Sequence, residues 1–144
     1  MPSQVGLGTD CSGGYSPSIL NSMRNAVTHS NILAMEDSQY QPLNFSDVLY
    51  LATRGGARLL DREHELGALE VGQLFDSLLI DMEGDEFILL LSLTLEVNMF
   101  FFSANSTTRP FGRETKEELV QKFVFLGNDT NIQTVFVGGK KVKK

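Results

Sequence analysis

Gly6-Leu7-Gly8-Thr9-Asp10, followed at once by Gly13-Gly14, is the stretch on which the reading of this 144-residue chain turns. Val5 to Leu7 reads as the end of a short strand, and Gly8-Thr9-Asp10 leads it into a loop whose glycines let the backbone turn tightly. A helix is expected just beyond. Ser16 is a good N-cap with Pro17 at the first helical position, and Ile19, Leu20, Met23, Ala26, Val27, Ser30, Leu33 and Ala34 recur at helical spacing on one face. Arg24, Asn25 and Thr28 would face away from that stripe. Strand, carboxylate, glycine loop and helix, in that order, is the arrangement at the C-terminal end of a strand in a (β/α) barrel, the face where such barrels hold their active sites. Asp10 is therefore a candidate site residue, although an aspartate after a strand is more often a turn or capping residue.

Further along, Pro42 and Asn44 close a loop, Ser46 is a plausible cap, and Val48, Leu49, Leu51 and Ala52 predict a short buried helix ending at Gly55-Gly56. Another turn or two of helix follows through Leu60. Gly67 and Gly72 punctuate extended pieces, and Phe75 to Met82 suits a strand buried on at least one side. From Phe87 to Phe102 the chain is strongly apolar, but Leu91, Leu93, Leu95, Val97 and Met99 alternate with Ser92, Thr94, Glu96 and Asn98, as a half-buried strand requires. That stretch falls short of the roughly 20 apolar residues that span a bilayer. Glu114 to Phe125 reads as a helix with Leu119, Val120 and Phe123 inward. Gly138-Gly139 between Val135-Phe136-Val137 and Lys140-Lys141-Val142 predicts a tight hairpin.

Composition narrows the class. Hydrophobic residues at 42% and charged residues at 21% are ordinary for a globular protein. The net charge is −6, and the one cationic cluster, Lys140, Lys141, Lys143 and Lys144, lacks interleaved aromatics, which argues against nucleic acid as a partner. A single cysteine, Cys11, and no signal-peptide pattern over Met1 to Thr9 favour a reducing, cytosolic compartment. Gly6-x-Gly8 lacks the rest of a dinucleotide fingerprint, and no phosphate loop occurs. Cys11 has an adjacent carboxylate that would raise its pKa, so it is a poor nucleophile.

Resemblance adds to this reading. Gly6 to Asp10 with Gly13-Gly14 looks like the last barrel strand of guanine deaminases, members of the metal-dependent amidohydrolase class, and Tyr15 through Leu33 resembles the helix after it. Leu51-Ala52-Thr53-Arg54-Gly55-Gly56-Ala57 is similar to a segment of the wider class. Leu66-Gly67-Ala68-Leu69-Glu70-Val71-Gly72, with Asp76 and the strand to Asp81, resembles the return to a small β-domain. Gln121 to Asp129 with Val135 to Lys140 looks like the closing helix and hairpin of guanine deaminases in particular. The matches run in family order and leave out the middle, from Glu83 to about Arg113.

The resemblance implies an α/β fold: the C-terminal portion of an amidohydrolase (β/α)8 barrel plus part of a small β-sandwich. It divides the chain into 1–64, the end of the barrel with the metal aspartate loop; 65–82, the return strands; 83–113, a divergent apolar segment; and 114–144, the closing helix and terminal hairpin. It also implies conversion of guanine and water to xanthine and ammonia, with no membrane and a homodimer in the intact protein. In that family the aspartate matching Asp10 ligates one metal ion, usually zinc, helps deprotonate the metal-bound water and so meets the substrate, which would make Asp10 catalytic, metal-binding and substrate-binding at once. The other family ligands are missing: the chain has only His29 and His64, and neither sits in an H-x-H motif. A C-terminal fragment, inactive alone and unable to retain zinc, is thus expected. The alternatives are another purine- or pterin-type amidohydrolase, or a non-catalytic chain pairing with full-length subunits.

Overall fold

The computed structural model describes residues 5–82, 84–85, 88–91, 103–104 and 114–143, the short middle segments by their backbone alone. Three helices come first: α1 (Ile19–Glu36), α2 (Phe45–Ala52) and α3 (Arg54–Leu59). Strands β1 (Ser77–Asp81), β2 (Gly84–Asp85), β3 (Ile88–Leu91) and β4 (Ser103–Ala104) follow, then α4 (Lys116–Leu126), β5 (Ile132–Val137) and β6 (Lys140–Lys143). The class is mixed: helices beside a four-stranded antiparallel sheet in the order β3-β1-β5-β6, with β2 and β4 forming a separate pair.

The helix starts show how local chemistry sets the elements. Asn44, not Ser46, caps α2: its side chain accepts from the Ser46 and Asp47 amides at 2.8 and 3.1 Å, and the Asp47 carboxylate returns a bond to the Asn44 amide at 2.8 Å. Four residues from Asn44 to Asp47 thereby satisfy orphan amides reciprocally. α1 starts two residues later than Ser16 predicts, because the Ser16 hydroxyl accepts from the Ser18 amide and from the Asn21 side chain, and the first helical carbonyl belongs to Ser18. α4 opens on Thr115, which closes a capping box with Glu118.

Gly55-Gly56 does not end α2. The break is at Thr53, whose hydroxyl donates back to the Leu49 and Tyr50 carbonyls, and both glycines lie inside α3. A Cβ on Gly55 would sit 3.0 Å from the Tyr50 carbonyl oxygen and 3.2 Å from its ring, so glycine is there for the close approach of α3 to α2.

The core is one cluster drawn from both ends of the chain. Leu20 and Met23 of α1, Val48 of α2, Ile80 of β1 with Met82, and Leu119, Val120, Phe123 and Val124 of α4 bury one another. Leu78 and Ile132 add the inner face of the sheet. β1 pairs with β5 through Leu78–Val135 and Leu79–Thr134, and a bulge after Leu79 shifts Ile80 onto Ile132. Gly138 and Gly139, at φ 54° and 75°, make the predicted tight turn, whose amides are held by the Asp76 carboxylate at 2.6 Å and the Phe75 carbonyl at 2.9 Å. In the apolar middle, β3 pairs with β1; the alternating stretch on which a half-buried strand is expected lies, beyond Leu91, outside the described residues.

Arg24 corrects the sequence reading most sharply. Rather than facing away, its guanidinium donates from Nε to the Val124 carbonyl at 2.7 Å and from a terminal nitrogen to the Gly127 carbonyl, both at the end of α4. Burial lowers its pKa, but an arginine stays charged. Replacing it with methionine, which keeps the aliphatic stem, should lower the urea midpoint by the equivalent of about 1–3 kcal/mol, read by circular dichroism; an unchanged midpoint would remove this tie from the account of the fold.

Candidate functional site

Asp10 sits at the head of a tight loop. Its backbone is in the left-handed region at φ 46°, a conformation aspartate tolerates better than most residues, and Ser12 follows at φ 91°. The Asp10 carbonyl accepts from the Gly14 amide, and Cys11 bridges to Gly14. Gly14 is required by space, whereas Gly13 faces only a side chain that could move. A Cβ on Gly14 would overlap the Thr9 carbonyl oxygen, and one on Gly13 would lie 2.5 Å from Asp10 Oδ2. The carboxylate of Asp10 lies over Gly13, with the residue open to solvent.

Residues 5–10 carry no strand ladder among the described residues, which corrects the strand expected over Val5 to Leu7. A strand needs neighbours on its edges, and here the Leu7 amide reaches the Leu51 carbonyl at 3.4 Å while the Ser22 hydroxyl donates to the Gly8 carbonyl at 3.1 Å. The segment is seated by α3. A Cβ on Gly6 would meet Gly56 Cα at 3.3 Å, and one on Gly67, at φ 92°, would meet Arg54 Cα at 2.8 Å. The Thr53-Arg54-Gly55-Gly56 segment singled out in the sequence is thus a packing joint between residue 6, α3 and residue 67. Arg54 adds an exposed ion pair with Glu70 at 2.9 Å, a contact of small energetic weight.

The second family-like segment is structural as well. Gly127 is demanded by the Phe123 ring and carbonyl, which a Cβ there would overlap. The Asn128 side chain accepts from Thr130, and buried Asn131 donates to the Asp81 carbonyl at 2.9 Å, joining the end of α4 to β1.

Two cavities flank the segment before Asp10 among the described residues. The larger, about 670 Å³, runs beside Gly6, Leu7 and Gly8 and is walled by Leu59, Leu60 and Leu66. Asp76 also reaches it, but its Oδ1 is committed to Gly138. A smaller one, about 230 Å³, lies between Thr9, Gly14 and the start of α1. Asp10 lines neither. His29 is exposed on α1 with its ring nitrogen at 2.8 Å from the Asn25 carbonyl, His64 lies exposed in the charged loop, and Cys11 is a free exposed thiol. No group of three histidine, cysteine or acidic side chains comes together among the described residues. One exposed carboxylate does not fit a resident zinc ion, which takes about four ligands. Nor is any helix among the described residues long and apolar enough to cross a membrane.

Comparison with known proteins gives these local features a setting. The profile described as the amidohydrolase family matches residues 3–142. The guanine deaminase of Homo sapiens is 37% identical over 139 residues, covering 96% of this chain and 27% of that protein. A crystal structure of guanine deaminase from C. acetobutylicum with guanine bound in the active site superposes with a TM-score of 0.72 at 25% identity, over 96% of this chain and 27% of that one. An adenosine deaminase from Xanthomonas campestris with bound zinc shares the fold at a TM-score of 0.56 and 19% identity. This chain therefore spans about a quarter of the length of the proteins it matches.

The two kinds of glycine in the loop region can be told apart. Gly14→Ala, facing backbone oxygens, should destabilise the loop by about 1–3 kcal/mol and make residues 9–15 sensitive to limited proteolysis. Gly8→Ala, with nothing within 4 Å of its added Cβ, should leave digestion unchanged. Equal sensitivity of the two variants would contradict the packing described for the loop.

Proposed function

Because the chain belongs to the amidohydrolase family, whose pattern runs from residue 3 to 142, we propose that it forms the C-terminal part of a guanine deaminase. The reaction is hydrolysis of the exocyclic C–N bond of guanine: water supplies the oxygen of xanthine, and the amino group leaves as ammonia. The observation that carries this reading is the guanine-bound relative, which superposes on almost the whole of this chain, reinforced by the identity to the human enzyme.

Asp10 is the residue of this chain that would meet the reaction. Its carboxylate is an anionic oxygen able to ligate a cation or accept a proton from an attacking water, and it stands exposed at the head of the Gly13-Gly14 turn. The zinc of the family does not fit this chain's residues by themselves, so no step of the chemistry is assigned to the chain alone. A complete site needs ligands, a proton donor and guanine contacts beyond these residues. In this reading 1–64 are the end of the barrel, 65–82 the return strands of the small β-domain, 83–113 a divergent apolar segment and 114–144 the closing helix and terminal hairpin; the compartment is the cytosol, and the assembled enzyme is a homodimer.

A chimera tests it. Human guanine deaminase carrying residues 5–142 of this chain in place of its matching segment should convert guanine to xanthine, and Asp10→Asn in that chimera should reduce turnover by roughly 10²–10⁴-fold. The 144-residue chain alone should show neither turnover nor stoichiometric zinc by metal analysis. A folded chimera indifferent to Asp10→Asn would refute the role given to that carboxylate, and activity on another purine or a pterin with none on guanine would move the substrate assignment.

A further inference from the structure

The loop that carries Asp10 is gripped from outside. Asp10 and Ser12 both have left-handed backbones, at φ 46° and 91°, and such conformations persist only where the surroundings fix them. The bond from the Gly14 amide to the Asp10 carbonyl closes the loop, and α1 holds its two roots. On the near side the Ser22 hydroxyl donates to the Gly8 carbonyl at 3.1 Å. On the far side Asn21 Nδ2 donates to the Ser16 hydroxyl and Asn25 Nδ2 to the Tyr15 hydroxyl, both at 2.8 Å. Asn21, Ser22 and Asn25 are neighbours on one face of α1 and line the 230 Å³ cavity behind the loop. Asn21 also faces the other way. Its Oδ1 accepts from Arg24 Nη1 at 3.3 Å, and the same guanidinium reaches the Val124 and Gly127 carbonyls at the end of α4. A guanidinium can only donate, so the carboxamide must turn its oxygen to Arg24 and its nitrogen to Ser16. The bonds from Arg24 to Gly127, from Arg24 to Asn21 and from Asn21 to Ser16 thus run in series from the closing helix to the far root of the Asp10 loop.

We propose that Asn21 is a positioning residue for the Asp10 carboxylate, and that through Asn21 and Arg24 the closing helix α4 sets the geometry of the Asp10 loop. This rests on the reading of Asp10 as the residue that meets the reaction. A reacting group misplaced by about 1 Å can lose roughly a hundredfold in rate. The tie therefore acts on turnover rather than on affinity for guanine, whose contacts lie beyond these residues. Position 21 asks for one side chain that bonds in two directions at once, which a residue with a single polar function cannot do.

Asn21→Leu, close in volume, removes both bonds, whereas Asn21→Asp keeps both, since a carboxylate accepts from Arg24 and from the Ser16 hydroxyl alike. In human guanine deaminase carrying residues 5–142 of this chain, Asn21→Leu should lower kcat for guanine roughly tenfold with KM held within about twofold, and Asn21→Asp should restore it. An unchanged kcat, or an equal loss in the aspartate variant, overturns the positioning role. The link to α4 is read in the full 144-residue chain by hydrogen exchange. Arg24→Met and Asn21→Leu should each speed exchange of the Gly14 amide at least about fivefold and leave the capped Asp47 amide of α2 unchanged. Equal acceleration at both amides, or none at Gly14, overturns the link. If Asn21→Leu keeps the human chimera from folding, exchange at Gly14 decides. Turnover indifferent to Asp10→Asn, with Gly14 responding as expected, counts against the role of Asp10 and not against the tie from α4.

Discussion

The fold depends first on how α4 is held. Its buried face, Leu119, Val120, Phe123 and Val124, closes the core against α1, α2 and the inner side of the sheet, but the helix also ends within reach of α1 with carbonyls that no helical amide can satisfy. Arg24 supplies the partners, reaching residues 100 and 103 positions away in sequence. A cation at the negative end of a helix is favoured on charge grounds as well as by its hydrogen bonds. This single side chain fastens the first long helix to the last, and the sheet is thereby brought against the helix that follows the Asp10 loop.

Much of this was legible in the sequence because local physics dictated it. The apolar run of α4, the paired glycines of the terminal hairpin and the buried face of Phe75 to Met82 each have one period or one turn type that suits them, and each took that form. Helix starts were less legible where several cap-forming residues crowd together: Asn44 outcompetes Ser46 because Asp47 stands at the spacing that completes a reciprocal cap. Arg24 was misread because a charge off the apolar stripe is ordinarily solvated, and periodicity cannot see a helix end brought from the far side of the chain. Val5 to Leu7 was misread for a different reason. Its residues suit a strand, but a strand is a property of pairs, and its neighbours are not among the described residues.

The motifs that carry the family resemblance divide into two physical kinds. Thr53 to Ala57, Gly67 and Phe123 to Asn131 are joints where backbones come too close for a side chain or where an amide group ties one element to another. They preserve the geometry of a fold without doing chemistry. Asp10, proposed above as the residue that meets the reaction, is of the other kind, an exposed carboxylate on a left-handed backbone beside two glycines. The sequence marks both kinds equally, since a glycine needed for packing and a glycine needed to present a reactive group look alike until their neighbours are known.

β6 lies at the outer edge of the four-stranded sheet and has the sequence Lys140-Lys141-Val142-Lys143. Open strand edges are where chains most readily extend one another's sheets into fibrils, and lysine-rich edge strands oppose this because a second copy aligned there would set ammonium groups against ammonium groups. The consequence is that the terminal hairpin closes the sheet on that side with a strand protected by charge against runaway polymerisation.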